Sequence, residues 1–343
     1  MNTLSDPTLP VAVALPVVVF LALWAALYFA FDALESGLKA AAQRASARVV
    51  RTRLARWMVA HPGWSGLRSY GPMVLVLALG GIAAFVAGEA FIEIAEHFRL
   101  TASSVYHADH AVNAWFQNER HPGFTTLLGA VTVAGGPLGM ALVVTLVAAG
   151  LLLRKHRASA IFVMVAAGGG ALLNLGLKTI FERVRPPAAT AIAVAQGYSF
   201  PSGHAMGSFI VLGSIAYVVL RQPFRWKVKS AWLAMLVTAV LLVGLSRVYL
   251  GVHWISDIAG GWSAGAVWLV TVTVAFETLL RIRQLRRGGP PPGTGAGIPG
   301  EPVGDPTSAH TGATGAGTQT MMAPASRWTL RRFAGARMPP SSS

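Results

Sequence analysis

Seven apolar stretches, each about long enough to cross a bilayer, constrain this chain more than any other feature, since roughly 17 to 25 residues suffice for a spanning helix. They lie near 9–31, 72–92, 136–153, 158–177, 205–220, 230–247 and 258–280. Hydrocarbon offers the backbone no hydrogen bonds, so runs of this length are helices. The expected fold class is therefore all-α, a polytopic membrane helix bundle. Composition agrees, with 54% of the 343 residues hydrophobic and 12% charged, against about 25% charged in soluble domains. Cysteine is absent, which removes disulfides, thiolate metal sites and a cysteine nucleophile.

A formal net charge of +15 would suit a nucleic-acid binder, but its distribution does not. The segments 32–71, 154–157, 221–229 and 281–287 carry 7, 3, 4 and 4 Lys and Arg and the tail 4 more, so 22 of 28 fall on one side of the alternating spans. That is the bias of cytoplasmic loops. It predicts a multi-pass protein of the cell (inner or plasma) membrane, with an outside N-terminus, a cytoplasmic C-terminus and membrane lipids rather than nucleic acid as partners. The first span has no basic region ahead of it and reads as a retained helix.

Residues 1–71 read as that helix followed by a basic amphipathic segment bearing Lys39, Arg44, Arg48, Arg51, Arg53, Arg56 and Arg68. It suits an anionic membrane surface, or simply fixes topology as a solvated helix. Residues 72–287 hold the remaining spans. Residues 288–343 are rich in Gly, Pro, Thr, Ser and Ala, too poor in apolar surface to offset their ordering entropy, and are expected to be a disordered cytoplasmic tail. The polar stretch from Glu93 to Pro122 carries His97, His107, Asp109, His110 and His121. Their spacing fits no zinc pattern, and the stretch reads as a solvated cap.

Six basic residues remain for the outer side: Arg99, Arg120, Lys178, Arg183, Arg185 and Arg247. Three of them, Lys178, Arg185 and Arg247, belong to three polar blocks at the ends of apolar runs: Lys178-x6-Arg185-Pro186, then Pro201-Ser202-Gly203-His204, then Ser246-Arg247-x5-His253-x3-Asp257. Such side chains are expensive at membrane depth and mark function. Four residues separate His253 from Asp257, so on a helix they share a face and the carboxylate orients one ring nitrogen while the other meets substrate. Histidine attacks phosphorus through a phosphohistidine; the pair by itself also reads as a helix-start contact. In the second block, a helix N-terminus with a close-approach glycine forms an anion cradle. There Ser202 offers its hydroxyl, Gly203 its amide, and His204 a proton for the leaving group; the tetrapeptide by itself reads equally as a helix-start signal with a bystander histidine. Lys178, Arg185 and Arg247 match the charge spread over phosphoryl oxygens, although any one of them alone also reads as a snorkelling side chain.

Jointly and in order, the three blocks resemble the signature of the type 2 phosphatidic acid phosphatase superfamily, which includes vanadium haloperoxidases and glucose-6-phosphatase. The resemblance covers Lys178 to Asp257. It implies a six-helix core with no metal requirement, here spans two to seven, from which the one extra N-terminal transmembrane helix and basic segment, residues 1–71, depart; no cofactor is expected. It also implies catalytic roles for His253 (nucleophile), His204 (acid) and Asp257 (orienter), with Lys178, Arg185, Ser202, Gly203 and Arg247 binding phosphate. The expected function is a phosphohydrolase acting on a lipid phosphate or diphosphate at the outer face, undecaprenyl diphosphate ranking ahead of phosphatidate and phosphatidylglycerophosphate. Alternatives are a lipid phosphotransferase, a vanadium-dependent haloperoxidase and a non-enzymatic lipid-phosphate binder or transporter. Oligomeric state is not legible.

Overall fold

In this computed structural model the described residues are 8–51, 65–187, 191–193 and 195–286. They lie in one compact unit, Met1–Thr294, and the rest of the chain, Gly295–Ser343, falls outside them, as does the expected disordered tail. Among the described residues there are nine helices and no strand. In chain order they are α1 (Thr8–Arg51), α2 (Ser65–His97), α3 (Ser104–Asn118), α4 (Pro122–Ala134), α5 (Pro137–Leu153), α6 (Arg157–Phe181), α7 (Gly203–Arg221), α8 (Trp226–Tyr249) and α9 (Ile255–Arg286).

Six helices are long and apolar enough to span a membrane, namely Leu21–Ala41 within α1, Val74–His97 within α2, α6, α7, α8 and Ile255–Gln284 within α9. The seventh expected span is a bent pair: α4 and α5 meet at 52° around Gly135 and Gly136. Pro137 opens α5, where a missing N–H and a fixed φ cost nothing. The first span differs from expectation, since α1 continues without a break beyond residue 31 to Arg51. Ala, Gln and Arg are good helix formers and extend the rod past its apolar stretch. Of the basic segment, Arg53 and Arg56 lie outside the described residues.

Short links make neighbouring helices antiparallel and sort the polar blocks. The turns between α5 and α6 and between α7 and α8 carry the basic loops at one end of the bundle. The C-terminus of α6, the N-terminus of α7, the C-terminus of α8 and the N-terminus of α9 gather at the other, so all three motif blocks share one end. Little hydrophobic drive acts between helices in lipid, so close packing of small residues holds them. α9 lies against α2 and α7, and a Cβ at Gly261 would stand 2.9 Å from the Ser202 carbonyl. The indole of Trp268 donates to the Ala166 carbonyl at 2.8 Å, an interhelical bond worth about 0.6 to 2 kcal/mol in such a setting. α1 packs on α8 and α4, where the Trp24 indole donates to the Ala231 carbonyl and that of Trp226 to Phe31.

Much of the stretch Glu93–Pro122 is exposed, as a solvated cap would be, but its central helix buries polar side chains on one face. Ser103 caps α3 by accepting from the Tyr106 amide at 3.1 Å. α3 then buries Asp109 and Asn113 against the bundle. Its histidines do not converge: among the described residues no group of three His, Asp or Glu side chains is placed to hold a metal ion.

Candidate active site

A tight turn builds the third block. After α8 the chain reverses over Leu250–Trp254, with Gly251 at φ +73, a conformation that glycine adopts without strain. The Val252 amide returns to the Arg247 carbonyl at 3.2 Å, which brings Arg247 and His253 to the same pocket wall. α9 begins at Ile255, so His253 precedes the helix, and its pairing with Asp257 is made by the turn and not by a shared helical face. Asp257 sits in the first turn of α9, and its Oδ2 accepts from the Trp254 amide at 3.0 Å and faces His253 Nδ1 at 3.1 Å. The carboxylate thus reaches back to cap the helix start while it orients the ring. Both residues are buried.

Beside Asp257, Nδ1 carries the proton, and Nε2 is left with a lone pair. Arg185 Nη1 donates towards that nitrogen at 3.1 Å. Burial is the largest influence on His253 and lowers its pKa to about 4; Asp257 acts upward, Arg185 and Arg247 downward. The ring is therefore neutral at ordinary pH, the state a nucleophile needs.

The cations converge but are partly engaged. Arg185 gives Nε to the Gly197 carbonyl at 2.9 Å, Nη1 to Val252 at 2.8 Å, and Nη2 to Gln196 and Tyr198 at 3.0 and 3.2 Å. Burial pushes its pKa below the ordinary guanidinium value, with Asp257 opposing. Lys178 Nζ donates to the Tyr198 carbonyl at 2.6 Å. Arg247 is buried, gives Nη1 to Thr132 Oγ1 at 2.6 Å, and has no partner at Nε. Ser202 stands at the N-cap of α7 without making a side-chain cap, and its buried hydroxyl has no partner. Orphaned buried donors of this kind call for a ligand or water.

Lys178, Arg185, Gly203, His204, Arg247 and His253 all line one cavity of about 870 Å³. Its remaining walls are mostly apolar and come from α5, α6 and α7, including Met140, Val144, Met164, Gly168 and Val211. The helix break between α4 and α5 contributes Gly136, where a Cβ would stand 3.1 Å from His204 Nε2. Ser202 and Asp257 lie behind this surface and do not line it.

Other polar and aromatic side chains stand near the three blocks. Asn174 lines the cavity, and its amide donates to the Pro201 carbonyl at 3.4 Å. Phe200 is buried in a cluster with Phe91, Phe98 and Phe181, Tyr198 gives its hydroxyl to Glu182 at 3.0 Å, and neither lines the cavity. Glu89 is exposed and does not line the cavity. Arg183, one of the six basic residues left for the outer side, turns inward: Nη1 meets Asp257 Oδ1 at 2.6 Å and Nη2 meets Asp109 Oδ2 at 2.5 Å. Asp109 and Thr132 are the partners that sequence reasoning missed. Neither stands in a motif block, and only their burial distinguishes them.

Comparison with known proteins agrees with the geometry. The model of the PAP2 superfamily matches residues 157–281. The chain is 32% identical to phosphatidylglycerophosphatase B of Bacillus subtilis (strain 168) over 183 residues, 53% of this chain and 90% of that protein. It is 37% identical to an undecaprenyl-diphosphatase of Sulfolobus acidocaldarius over 90 residues, 26% of this chain and 39% of that one. The crystal structure of the first transmembrane PAP2 type phosphatidylglycerolphosphate phosphatase, from Bacillus subtilis, superposes with a TM-score of 0.53 at 30% identity, covering 57% of this chain and 97% of that chain.

Proposed function

The chain belongs to the PAP2 superfamily, and from that premise we propose that it hydrolyses the terminal phosphate of a membrane lipid through a phosphohistidine at His253. One observation carries the reading: two histidines, a lysine and two arginines meet at one cavity whose other walls are apolar. A phosphorylated headgroup with a lipid tail fits that division, which a soluble substrate or a bare halide does not need.

In the proposed reaction the His253 Nε2 lone pair forms a bond to phosphorus as the bond from phosphorus to the leaving oxygen breaks. His204 gives that oxygen its proton. Lys178, Arg185, Arg247 and the Gly203 amide stabilise the charge on the equatorial oxygens, Arg185 moving from the Nε2 lone pair to the phosphoryl group, while Ser202 lies behind them. Asp257 stabilises the positive imidazole. Water, deprotonated by His204, then attacks phosphorus; the bond to Nε2 breaks and both histidines return to their starting states.

Among substrates, phosphatidylglycerophosphate takes first place over undecaprenyl diphosphate and phosphatidate. The relative matched along 90% of its length is a phosphatidylglycerophosphatase, whereas the match to the undecaprenyl-diphosphatase spans 39% of it. The site end of the bundle is proposed to face outward, which the basic loops at the opposite end support. The test is phosphate release by purified protein in mixed micelles from these three lipids, with His253→Ala alongside. The expected result is turnover of at least one lipid, lost in the variant with the fold retained. Undiminished turnover by His253→Ala refutes the nucleophile assignment, and no release from any lipid refutes the phosphatase reading.

A further inference from the structure

We infer that Asp109, acting through Arg183 and Ser256, is a positioning residue that fixes the Asp257 carboxylate behind His253. The inference rests on the proposed phosphatase reading and extends it to α3, a helix outside the motif blocks.

The two oxygens of Asp257 are held differently. Oδ2 faces His253 Nδ1 and the Trp254 amide, while Oδ1 accepts from Arg183 Nη1 at 2.6 Å. A carboxylate turns about its own side-chain bond unless both oxygens are tied, so Arg183 sets which oxygen meets the ring and at what angle. Arg183 has no freedom of its own. Its Nη2 meets Asp109 Oδ2 at 2.5 Å, and the guanidinium lies 4.3 Å from the Phe98 ring centroid and 5.7 Å from that of Trp254.

Ser256 closes the circuit. Its hydroxyl accepts from Arg183 Nη1 at 2.7 Å and donates to Asp109 Oδ2 at 2.6 Å, and its amide donates to Asp109 Oδ1 at 2.9 Å. Asp109 thus caps the first turn of α9 from another helix and also grips the cation that grips Asp257. Relative exposure is 1% for Asp109, 8% for Arg183, 6% for Ser256 and 0% for Asp257. None of the four lines the cavity, so none is placed to touch substrate.

Charge supplies the second strand. Arg183 alone would draw the carboxylate's charge away from the ring. Asp109 neutralises Arg183 from its far side and leaves a net negative charge behind an imidazole that turns positive on taking up phosphorus. Three buried charges are a costly way to gain stability, since well-packed apolar residues often serve as well. Orientation of the nucleophile accounts for their presence.

The test measures kcat and KM for phosphate release in mixed micelles, per folded monodisperse molecule, in wild type, His253→Ala, Asp109→Asn and the double variant Asp109→Leu with Arg183→Met. Asp109→Asn is expected to lower kcat by about 10- to 100-fold, the scale of losing an outer partner of an oriented ligand, with KM moving less than about 3-fold. Because a buried arginine short of a partner threatens folding, the double variant removes both charges together. It is expected to keep the wild-type unfolding temperature within a few degrees and still show the lowered kcat. A double variant with wild-type kcat, or an Asp109→Asn protein whose loss is only in folded yield, overturns the inference and makes the network structural. Wild type that releases no phosphate overturns the phosphatase reading and this inference with it; active wild type beside a normal Asp109→Asn overturns the inference alone.

Discussion

At the scale of single residues, the site is organised around one nitrogen lone pair. Asp257 accepts a hydrogen bond from His253 Nδ1–H, and burial together with Arg185 and Arg247 keeps a second proton off the ring, its pKa lying near 4. The sign of the pH dependence follows. In the proposed reaction protonation of His253 abolishes attack, and because that pKa lies below the ordinary value of about 6.5, the loss begins only as pH falls towards 4. Phosphoenzyme formation in a single turnover, trapped and counted across pH 5.5 to 7.5, is expected to show no acid limb from this group; a limb centred near 6.5 that disappears with His253 would contradict the burial argument. The spacing of His253 and Asp257 was enough to pair them from sequence, though for the wrong reason. The turn at Gly251 joins them, and a turn of that kind has no periodicity to read. Asp109 and Arg183 were out of reach because a contact across 74 residues leaves no trace in either neighbourhood.

At the scale of elements, α6 shows how one short motif serves two ends. Gly168, Gly169 and Gly170 are consecutive, yet only the latter two pack closely: a Cβ on Gly169 would run into the Trp268 indole, and one on Gly170 would meet the same ring and Ile210. Gly168 meets nothing within 4 Å and lines the cavity, as Gly207 does on α7. Overpacking costs about 1 to 3 kcal/mol, so Gly169→Val is expected to lower the unfolding temperature in detergent. Gly168→Leu should leave that temperature unchanged and instead raise KM for a long-chain lipid phosphate more than for a short-chain, water-soluble one. Equal effects of Gly168→Leu on both substrates would show that this wall does not contact a lipid tail. Helical periodicity places the three glycines on different faces, but the identity of each facing neighbour depends on how α7 and α9 dock.

For the whole molecule, the division between a basic end and a catalytic end supports an orientation, and the chain's lack of cysteine makes it directly testable. Single-cysteine variants at Ala102, exposed beside α3, and Lys155, exposed between α5 and α6, mark the two ends. A membrane-impermeant maleimide is expected to label Ala102→Cys in intact cells and Lys155→Cys only after permeabilisation; the reverse pattern would put the site in the cytoplasm. The sequence by itself determined the membrane class, the extent of most spans, the gathering of polar blocks at one end and the chemistry those blocks imply. These are consequences of local facts, namely the length of apolar runs, the alternation of short loops and residue types at close spacing. Tertiary structure alone decided that one span bends at Gly135 and Gly136, that α3 delivers Asp109 to Arg183, and which face of each helix opens on the cavity. Each of these depends on contacts between segments far apart in the chain, where a side chain's role is set by what docks against it.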